Sequence, residues 1–389
     1  MLRTTFRLLV VGVLLVFALP ALAAGEKAEE EAKPLKGSLV APGVSWEGQQ
    51  FVAADAKGRV YVFRPDNLRV YPLDSGGDFG EPRELESRPL GDPSVARSAA
   101  MDEHGDWVAL FGGDPRWFPS GEEKELPRPG WMIGAVALLK GHPVALAYPY
   151  PVGRLSDRDL RARPPLVLQA DRDDWSVLVE SELAEIPDRR KYVSVRQKYD
   201  AHLLVDSGDS MWVANRYRYR VANYSSAGRE LLVLEVDEAE VEHREEAEVE
   251  AAAVTLERER SRYADKRRAT PGTNTAIASI IALSEGRDGH MYFLVRDSAS
   301  KSSTGLVLDR FDSTRALLER VPLAYRTPGT ATMAAGSDGL YVVPFNGKEK
   351  RYFVSWEALL EADWSPVEGV EMNGLLVEVA RDEEQLGGE

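Results

Sequence analysis

Short apolar runs separated by polar turns recur along the chain from about residue 45 to residue 360. In the first copy, the apolar run Phe51–Ala54 leads into Asp55, and a second apolar run begins at Val60 just after Gly58. Asp can bond backbone N–H groups two residues further on, and Gly adopts the positive φ of a tight reversal, so each copy predicts a β-hairpin. The equivalent turns contain Gly58, Gly105, Gly141, Asp209, Gly289 and Gly339.

A second hairpin follows several of the first ones, as at residues 68–77, 219–231 and 306–317. Two hairpins per unit form a four-stranded antiparallel sheet. The turn anchors are about 56 residues apart on average, which approaches the ~40–50 residues of a propeller blade once insertions are subtracted. The spacing predicts six blades and leaves seven open, because the third turn has Lys140 where Asp is expected.

The predicted fold is therefore all-β, a six-bladed β-propeller over residues 38–380, in which a closed ring removes most exposed strand edges. A strand from one terminus is expected to close the ring, either Ser38–Val44 or Leu375–Val379. The strands nearest the central channel are expected to carry mostly small and apolar side chains. Examples are Ala53, Ala54, Ala99, Ala100, Leu203, Leu204, Ile281 and Ala334.

The repeat resembles that of six-bladed β-propellers of the NHL and TolB-like kind. The resemblance rests on an apolar strand, a D-x-x-G turn, a Val-Tyr-Val strand as at residues 60–62, and then Arg-Val-x-x-Phe/Tyr-Asp/Ser-x-x-Gly. It covers roughly residues 45–360 and implies the architecture. Such propellers bind proteins, sugars or nucleic acid, and a few are hydrolases or lyases, so the resemblance does not select a function.

The first 23 residues have the pattern of a cleaved secretory signal. Arg3 and Arg7 precede an unbroken apolar stretch of 12 residues, Leu8–Leu19, and the A-x-A sequence ending at Ala23 follows. This stretch is shorter than the ~20 apolar residues of a membrane span. We expect cleavage after about Ala23, no membrane span afterwards, and a periplasmic or secreted protein. Residues 24–37 are predicted to be a charged linker, and residues 381–389 an acidic tail.

Composition excludes several classes of protein. The formal net charge is −15, and nucleic-acid binding requires an excess of Lys and Arg, so no nucleic-acid partner is expected. The chain has 0 Cys, which excludes disulfide scaffolds, thiolate zinc sites and cysteine nucleophiles.

A charged segment at residues 237–268 interrupts the β pattern. Its first half is rich in Glu and its second half in Arg and Lys, an order that complements a helix dipole. The sequence therefore predicts a helical insertion. It would be either a solvated helix over the rim or a lid or partner-binding arm, since its apolar stripe is thin.

The ligand site is predicted where the inner strands begin, because outer-to-inner connections gather at that face of a propeller. The residues expected there are Gln50, Arg97, Trp131, Asp200, His202 and Thr332. Asp200 and His202 are two apart on a predicted strand and would face the channel together. The face with the hairpin turns, which carries several histidines, is expected to lie opposite.

A further candidate is the alternating stripe at residues 216–220. Arg216 and Arg218 lie on one strand face, either as a solvated surface paired with carboxylates or as a site for anions. No metal site or cofactor is predicted, because the five His show no ligand spacing and Asp171–Asp174 lacks the Gly and Glu of a calcium loop.

Together these features predict an exported β-propeller that acts as a binding or interaction module for a protein or small-molecule ligand. The alternative is a metal-dependent hydrolase resembling gluconolactonases. Three or more convergent Asp, Glu, Asn or His in the channel would favour the hydrolase, and an Arg and aromatic mouth would favour binding.

Overall fold

In the computed structural model, all described residues lie in the unit Pro34–Glu389. Within it, the described residues are 34–40, 49–76, 78–86, 96–111, 113–127, 131–148, 166–171, 174–180, 201–215, 219–236, 280–296, 305–326, 331–345 and 350–374. The predicted signal, the charged insertion at 237–268 and the acidic tail lie outside these residues and stay predictions.

Six antiparallel sheets form the described part of the chain. Blade 1 contains β2 (Phe51–Ala54), β3 (Val60–Arg64), β4 (Arg69–Leu73) and β5 (Arg83–Glu84). Blade 2 contains β6 (Ala96–Met101), β7 (Trp107–Phe111) and β8 (Asp114–Phe118), and blade 3 contains β9 (Met132–Leu139), β10 (His142–Tyr148), β11 (Val167–Ala170) and β12 (Trp175–Val179). Blade 4 contains β13 (Ala201–Val205), β14 (Met211–Asn215), β15 (Arg220–Tyr224) and β16 (Glu230–Val236).

The last two blades complete the ring. Blade 5 contains β17 (Ile280–Glu285), β18 (Met291–Arg296), β19 (Gly305–Asp312) and β20 (Leu317–Arg326). Blade 6 contains β21 (Ala331–Ala335), β22 (Gly339–Pro344), β23 (Arg351–Ser355) and β1 (Ser38–Val40). The six-bladed propeller predicted from the repeat is thus confirmed.

The ring closes with the N-terminal strand. β1 pairs antiparallel with β23, with Ser38 opposite Phe353, so the N-terminal one of the two predicted closing strands is used. Leu35 secures it, because its N–H donates to the Pro322 carbonyl at 2.7 Å while its carbonyl accepts from the Tyr352 hydroxyl at 2.8 Å. The other predicted closing strand, residues 375–379, lies outside the described residues.

The C-terminal segment adds strands to two blades. A short helix α1 (Trp356–Leu360) begins at Ser355, whose hydroxyl caps it by accepting from the Ala358 N–H. After it, β24 (Ser365–Pro366) pairs with β20 in blade 5, and β25 (Val370–Asn373) pairs with β16 in blade 4. Blades 4 and 5 therefore have five strands, whereas only three are described in blade 2.

The turn residues act as their chemistry predicts. Asp55 accepts from the N–H groups of Lys57 at 3.0 Å and Arg59 at 2.9 Å through one carboxylate oxygen, and Gly58 has φ 72°. The third hairpin uses a different turn, in which Lys140 (φ 51°) and Gly141 (φ 73°) alone connect the strands. This turn has only two residues. Asp is absent because there is no larger loop whose backbone N–H groups its carboxylate would bond.

The core consists of apolar layers between the blades. One layer joins Trp212 and Leu232 of blade 4 to Phe293 of blade 5. Among the described residues, no helix has both the length and the hydrophobicity that crossing a membrane requires.

Candidate functional site

A channel runs through the centre of the ring, with a volume of about 830 Å³. All six inner strands line it: β2, β6, β9, β13, β17 and β21. One end of it, where the inner strands begin, is lined by Gln49 and Phe345. The other end is lined by Glu103, Ser207 and Arg287 in the hairpin turns. We call these its loop end and its turn end. The turn end was not a predicted ligand face, but it opens into the same space.

Small side chains keep the channel open. Ala53, Ala99, Gly134, Ala282 and Ala334 lie along its wall, one in each of five blades. Each inner strand is also the terminal strand of its sheet, so one of its edges pairs with no other strand. The wall therefore offers main-chain donors and acceptors between small apolar groups.

Blades 2, 4 and 6 each supply a polar side chain that contacts a backbone N–H or carbonyl group on the inner strand of the next blade. Ser98 Oγ accepts from the Val136 N–H at 3.2 Å, and Thr332 Oγ1 accepts from the Val52 N–H at 3.0 Å. His202 Nε2 lies 3.1 Å from the Ile280 carbonyl oxygen. Each contact connects one blade to the next. His202 and Thr332, both predicted ligand residues, do line the channel but are hydrogen-bonded to neighbouring blades.

The other predicted residues are dispersed. Arg97 is exposed and lines the loop end of the channel. Gln50 is fully buried and its amide donates to the Pro344 carbonyl at 2.8 Å, so it joins blades 1 and 6. Trp131 is half-buried against the core of blades 2 and 3 and is not part of the channel wall. Asp200, Arg216 and Arg218 lie outside the described residues.

The turn end carries most of the charge in the channel. Its acidic residues are Asp55, Asp102, Glu103, Asp206, Asp209 and Glu285, and its basic residues are Lys140 and Arg287. Glu285 accepts from both the N–H (2.6 Å) and the hydroxyl (2.7 Å) of Ser207 in the preceding blade. Arg287 donates to the Ser337 carbonyl at 3.4 Å and the Lys57 carbonyl at 3.3 Å, so it bridges blades 5, 6 and 1.

Asp55 shows how a turn carboxylate is stabilised. Burial opposes its ionisation, but hydrogen bonds and the charge of Arg59 outweigh that effect and lower its pKa. Arg59 Nε donates to Oδ2 at 2.7 Å, and the Tyr61 hydroxyl lies 3.4 Å from the same oxygen. Burial in turn raises the pKa of Tyr61. Such a carboxylate serves the turn rather than a ligand.

Metal ligands do not converge in the part of the chain that the structure describes. Within it, no three His, Asp or Glu residues are grouped so that they could hold an ion. His104 is exposed and lies 3.5 Å from the Glu103 carboxylate, and His290 contacts Asp288 at 2.8 Å. His290 also lies 3.5 Å from the Asp312 carboxylate, so its ring faces two carboxylates.

Comparison with known proteins identifies relatives in structure only. No protein-family model and no curated protein matches the chain. A streptogramin B lyase structure is 11% identical with a TM-score of 0.43, and the match covers 87% of this chain and 98% of that one. Virginiamycin B lyase from Staphylococcus aureus is 11% identical (TM-score 0.41, covering 82% and 99%). The Swd1 β-propeller domain of Myceliophteria thermophila is 9% identical (TM-score 0.40, covering 80% and 97%). At these identities the likeness concerns fold alone and assigns no activity.

Proposed function

We propose that this protein is an exported binding module, of the NHL or TolB-like kind, that takes up a ligand in its central channel. The supporting observation is the channel itself. Its volume of about 830 Å³ falls within the roughly 300–1,000 Å³ of small-molecule sites. Small side chains leave it open, and strand edges offer donors and acceptors for a polar ligand. A short peptide or a small polar molecule fits this wall chemistry.

The alternative of a metal-dependent hydrolase has no supporting observation among the described residues. The carboxylates at the turn end mostly bond the backbone or donors of their own turns, as Asp55 and Asp206 do. Of the two histidines that line the channel, His202 contacts a backbone carbonyl and His104 the carboxylate of Glu103. These arrangements favour binding over catalysis.

The proposal is tested by narrowing the channel. Ala99→Phe adds a ring to a half-buried residue of the channel wall, and Val177→Phe adds the same ring to the outer strand β12, where Val177 is 54% exposed. Wild type and both variants are screened by ligand-detected NMR against a library of small polar compounds and short peptides. Thermal unfolding verifies that each variant is folded.

We expect compounds that bind wild type and Val177→Phe equally and bind Ala99→Phe at least about tenfold more weakly, because the ring occupies their space. If a folded Ala99→Phe variant keeps full affinity, the ligand does not use the channel. If no compound binds wild type, the binding function proposed here is wrong.

A further inference from the structure

Three of the six inner strands carry a β-bulge near the loop end of the channel. In β6, Arg97 is the extra residue, since its two neighbours pair with the adjacent residues Phe111 and Leu110 of β7. In β9 and β17 the extra residues are Gly134 and Ile281, whereas β2, β13 and β21 pair without interruption. All three extra residues line the channel. Bulges re-aim side chains and are frequent next to functional sites.

Arg97 differs from the residues at the same position in the other blades. It lies five residues before Asp102, the first residue of its hairpin turn. In blades 1, 4, 5 and 6 the residue five positions before the turn is uncharged and at most 8% exposed, and these residues are Gln50, Ala201, Ile281 and Ala331. Arg97 is exposed instead. Packing between blades therefore does not require an arginine at this position, and its charge calls for another explanation.

The position of Arg97 separates it from the acidic end of the channel. Among the described residues that line the channel, every Asp and Glu belongs to the turn end. Five residues of extended strand between Arg97 and Asp102 correspond to roughly 16 Å, which exceeds the ~8–10 Å Debye length at physiological ionic strength. An anion bound at Arg97 is therefore screened from the carboxylate at the turn of the same strand.

We infer that Arg97 binds the carboxylate of the channel's ligand at the loop end. This inference rests on the proposed function and adds the chemical class of the ligand, a small acid or a peptide end with a free carboxylate. The guanidinium has five N–H donors in a fixed fork that matches the two oxygens of a carboxylate. It keeps its charge at every accessible pH. The rest of the ligand lies against small side chains such as Ala99.

The test compares two acids with their neutral amides. The pairs are acetyl-trialanine with its C-terminal amide, and butyrate with butyramide, so each pair differs only in the group that contacts Arg97. Affinities are measured by NMR titration of wild type, Arg97→Gln and Arg229→Gln. Arg229 is exposed in the turn before β16 and is not part of the channel wall, so Arg229→Gln removes the same charge elsewhere. Melting temperatures verify folding.

We expect at least one acid to bind wild type at least about tenfold more tightly than its amide, a preference lost in Arg97→Gln and changed less than about twofold in Arg229→Gln. The net charge of −15 repels anions, so diffuse electrostatics would favour the amides. Tighter binding of acetyl-trialanine than of butyrate would identify a peptide end, and the reverse a small acid. Equal affinity of acids and amides, no binding of either acid, or a preference that persists in Arg97→Gln would overturn the inference.

A second measurement follows the guanidinium itself. The Arg97 Nε–H resonance, identified by its absence in Arg97→Gln, should shift in wild type when the acid is added and stay in place with the amide, because only the carboxylate forms a charge-assisted hydrogen bond. No shift with either acid would overturn the inference. If the amides bind wild type and lose affinity in Ala99→Phe while the acids bind no better, the channel function stands and only the role of Arg97 is wrong.

Discussion

A single carboxylate organises each Asp-containing turn. In blade 5, Asp288 Oδ1 accepts from the His290 N–H at 3.2 Å, and Oδ2 accepts from the Tyr292 hydroxyl at 2.7 Å. Burial opposes the ionisation of Asp288, but the hydrogen bonds from Tyr292 and His290 outweigh it, so the pKa of Asp288 is lowered. Burial and the adjacent carboxylate raise the pKa of Tyr292 well above its ordinary value. The hydroxyl therefore remains a donor throughout the accessible pH range.

Tyr292→Phe should lower the free energy of unfolding by about 1–3 kcal/mol, because it leaves a half-buried carboxylate oxygen without its buried donor. Urea denaturation at neutral pH measures this. Tyr71→Phe is the control, since the Tyr71 hydroxyl accepts from Asn67 at 3.4 Å in an exposed contact, where water can replace a lost partner, and it should have little effect. A Tyr292 variant as stable as wild type would show that His290 alone satisfies Asp288.

At the scale of elements, a buried carboxylate in blade 5 is paired within its own blade and also bonded from blade 4. Asp309 on β19 is fully buried and accepts from Arg320 on β20 through both oxygens, at 2.7 and 2.8 Å. The Tyr219 hydroxyl, from the residue just before β15, donates to the same carboxylate at 2.7 Å. Three donors from two blades thus compensate the desolvation of one charge.

Arg320→Met should cost about 3–5 kcal/mol of unfolding free energy, because it leaves Asp309 charged, buried and deprived of its cation. Chemical denaturation measures the loss. The double variant Asp309→Leu/Arg320→Met should recover most of it, since no unpaired charge remains. Arg69→Met, which breaks an exposed pair with Glu84, should cause no measurable change. If the double variant is as unstable as the single one, packing rather than charge explains the effect.

Local sequence predicted the hairpins well, and it predicted poorly which strands pair when they are distant in the chain. The D-x-x-G turns and apolar runs gave the hairpins because both signals are local. The added strands at Ser365–Pro366 and Val370–Asn373 carry no such signal, since their pairing depends on the free edges of β20 and β16. Blade 2 with three described strands was likewise unexpected.

The same limit applies to the site. His202 and Thr332 were predicted to face a ligand and do line the channel, yet each bonds the backbone of an adjacent blade. Their partners Ile280 and Val52 are 78 and 280 residues away in sequence, so no local pattern could identify them.

At the scale of the whole molecule, ring closure depends on a short N-terminal strand. β1 contributes three residues to blade 6, and Leu35 adds contacts to blade 5. Tyr352 stabilises the seam, by which we mean the pairing of β1 with β23. Its ring stacks on Tyr325 with centroids 4.8 Å apart, and its hydroxyl donates to the Leu35 carbonyl. Burial raises the pKa of Tyr352 to about 12, so this donor keeps its proton. Since every blade packs on two others, opening this seam should loosen the entire ring.

Gly37→Ala tests that dependence with one methyl group. A Cβ at Gly37 would lie 2.5 Å from both the Phe353 carbonyl oxygen and the Tyr352 ring, so β1 must shift away from β23. We expect a loss of about 1–3 kcal/mol in unfolding free energy, typical of overpacking. Gly76→Ala is the matched control, because its nearest atom is the Asp74 carboxylate at 3.3 Å.

Hydrogen exchange should show where the ring opens. In Gly37→Ala, amides of β1 and β23 should exchange faster than in wild type. Amides of β21, in the same sheet, and of β2, which packs against β21, should begin to exchange at a lower denaturant concentration than they do in wild type. Gly76→Ala should leave all of them unchanged. Faster exchange confined to β1, with the free energy of unfolding unaltered, would mean that the five other blades and the rest of blade 6 hold the ring without its N-terminal strand.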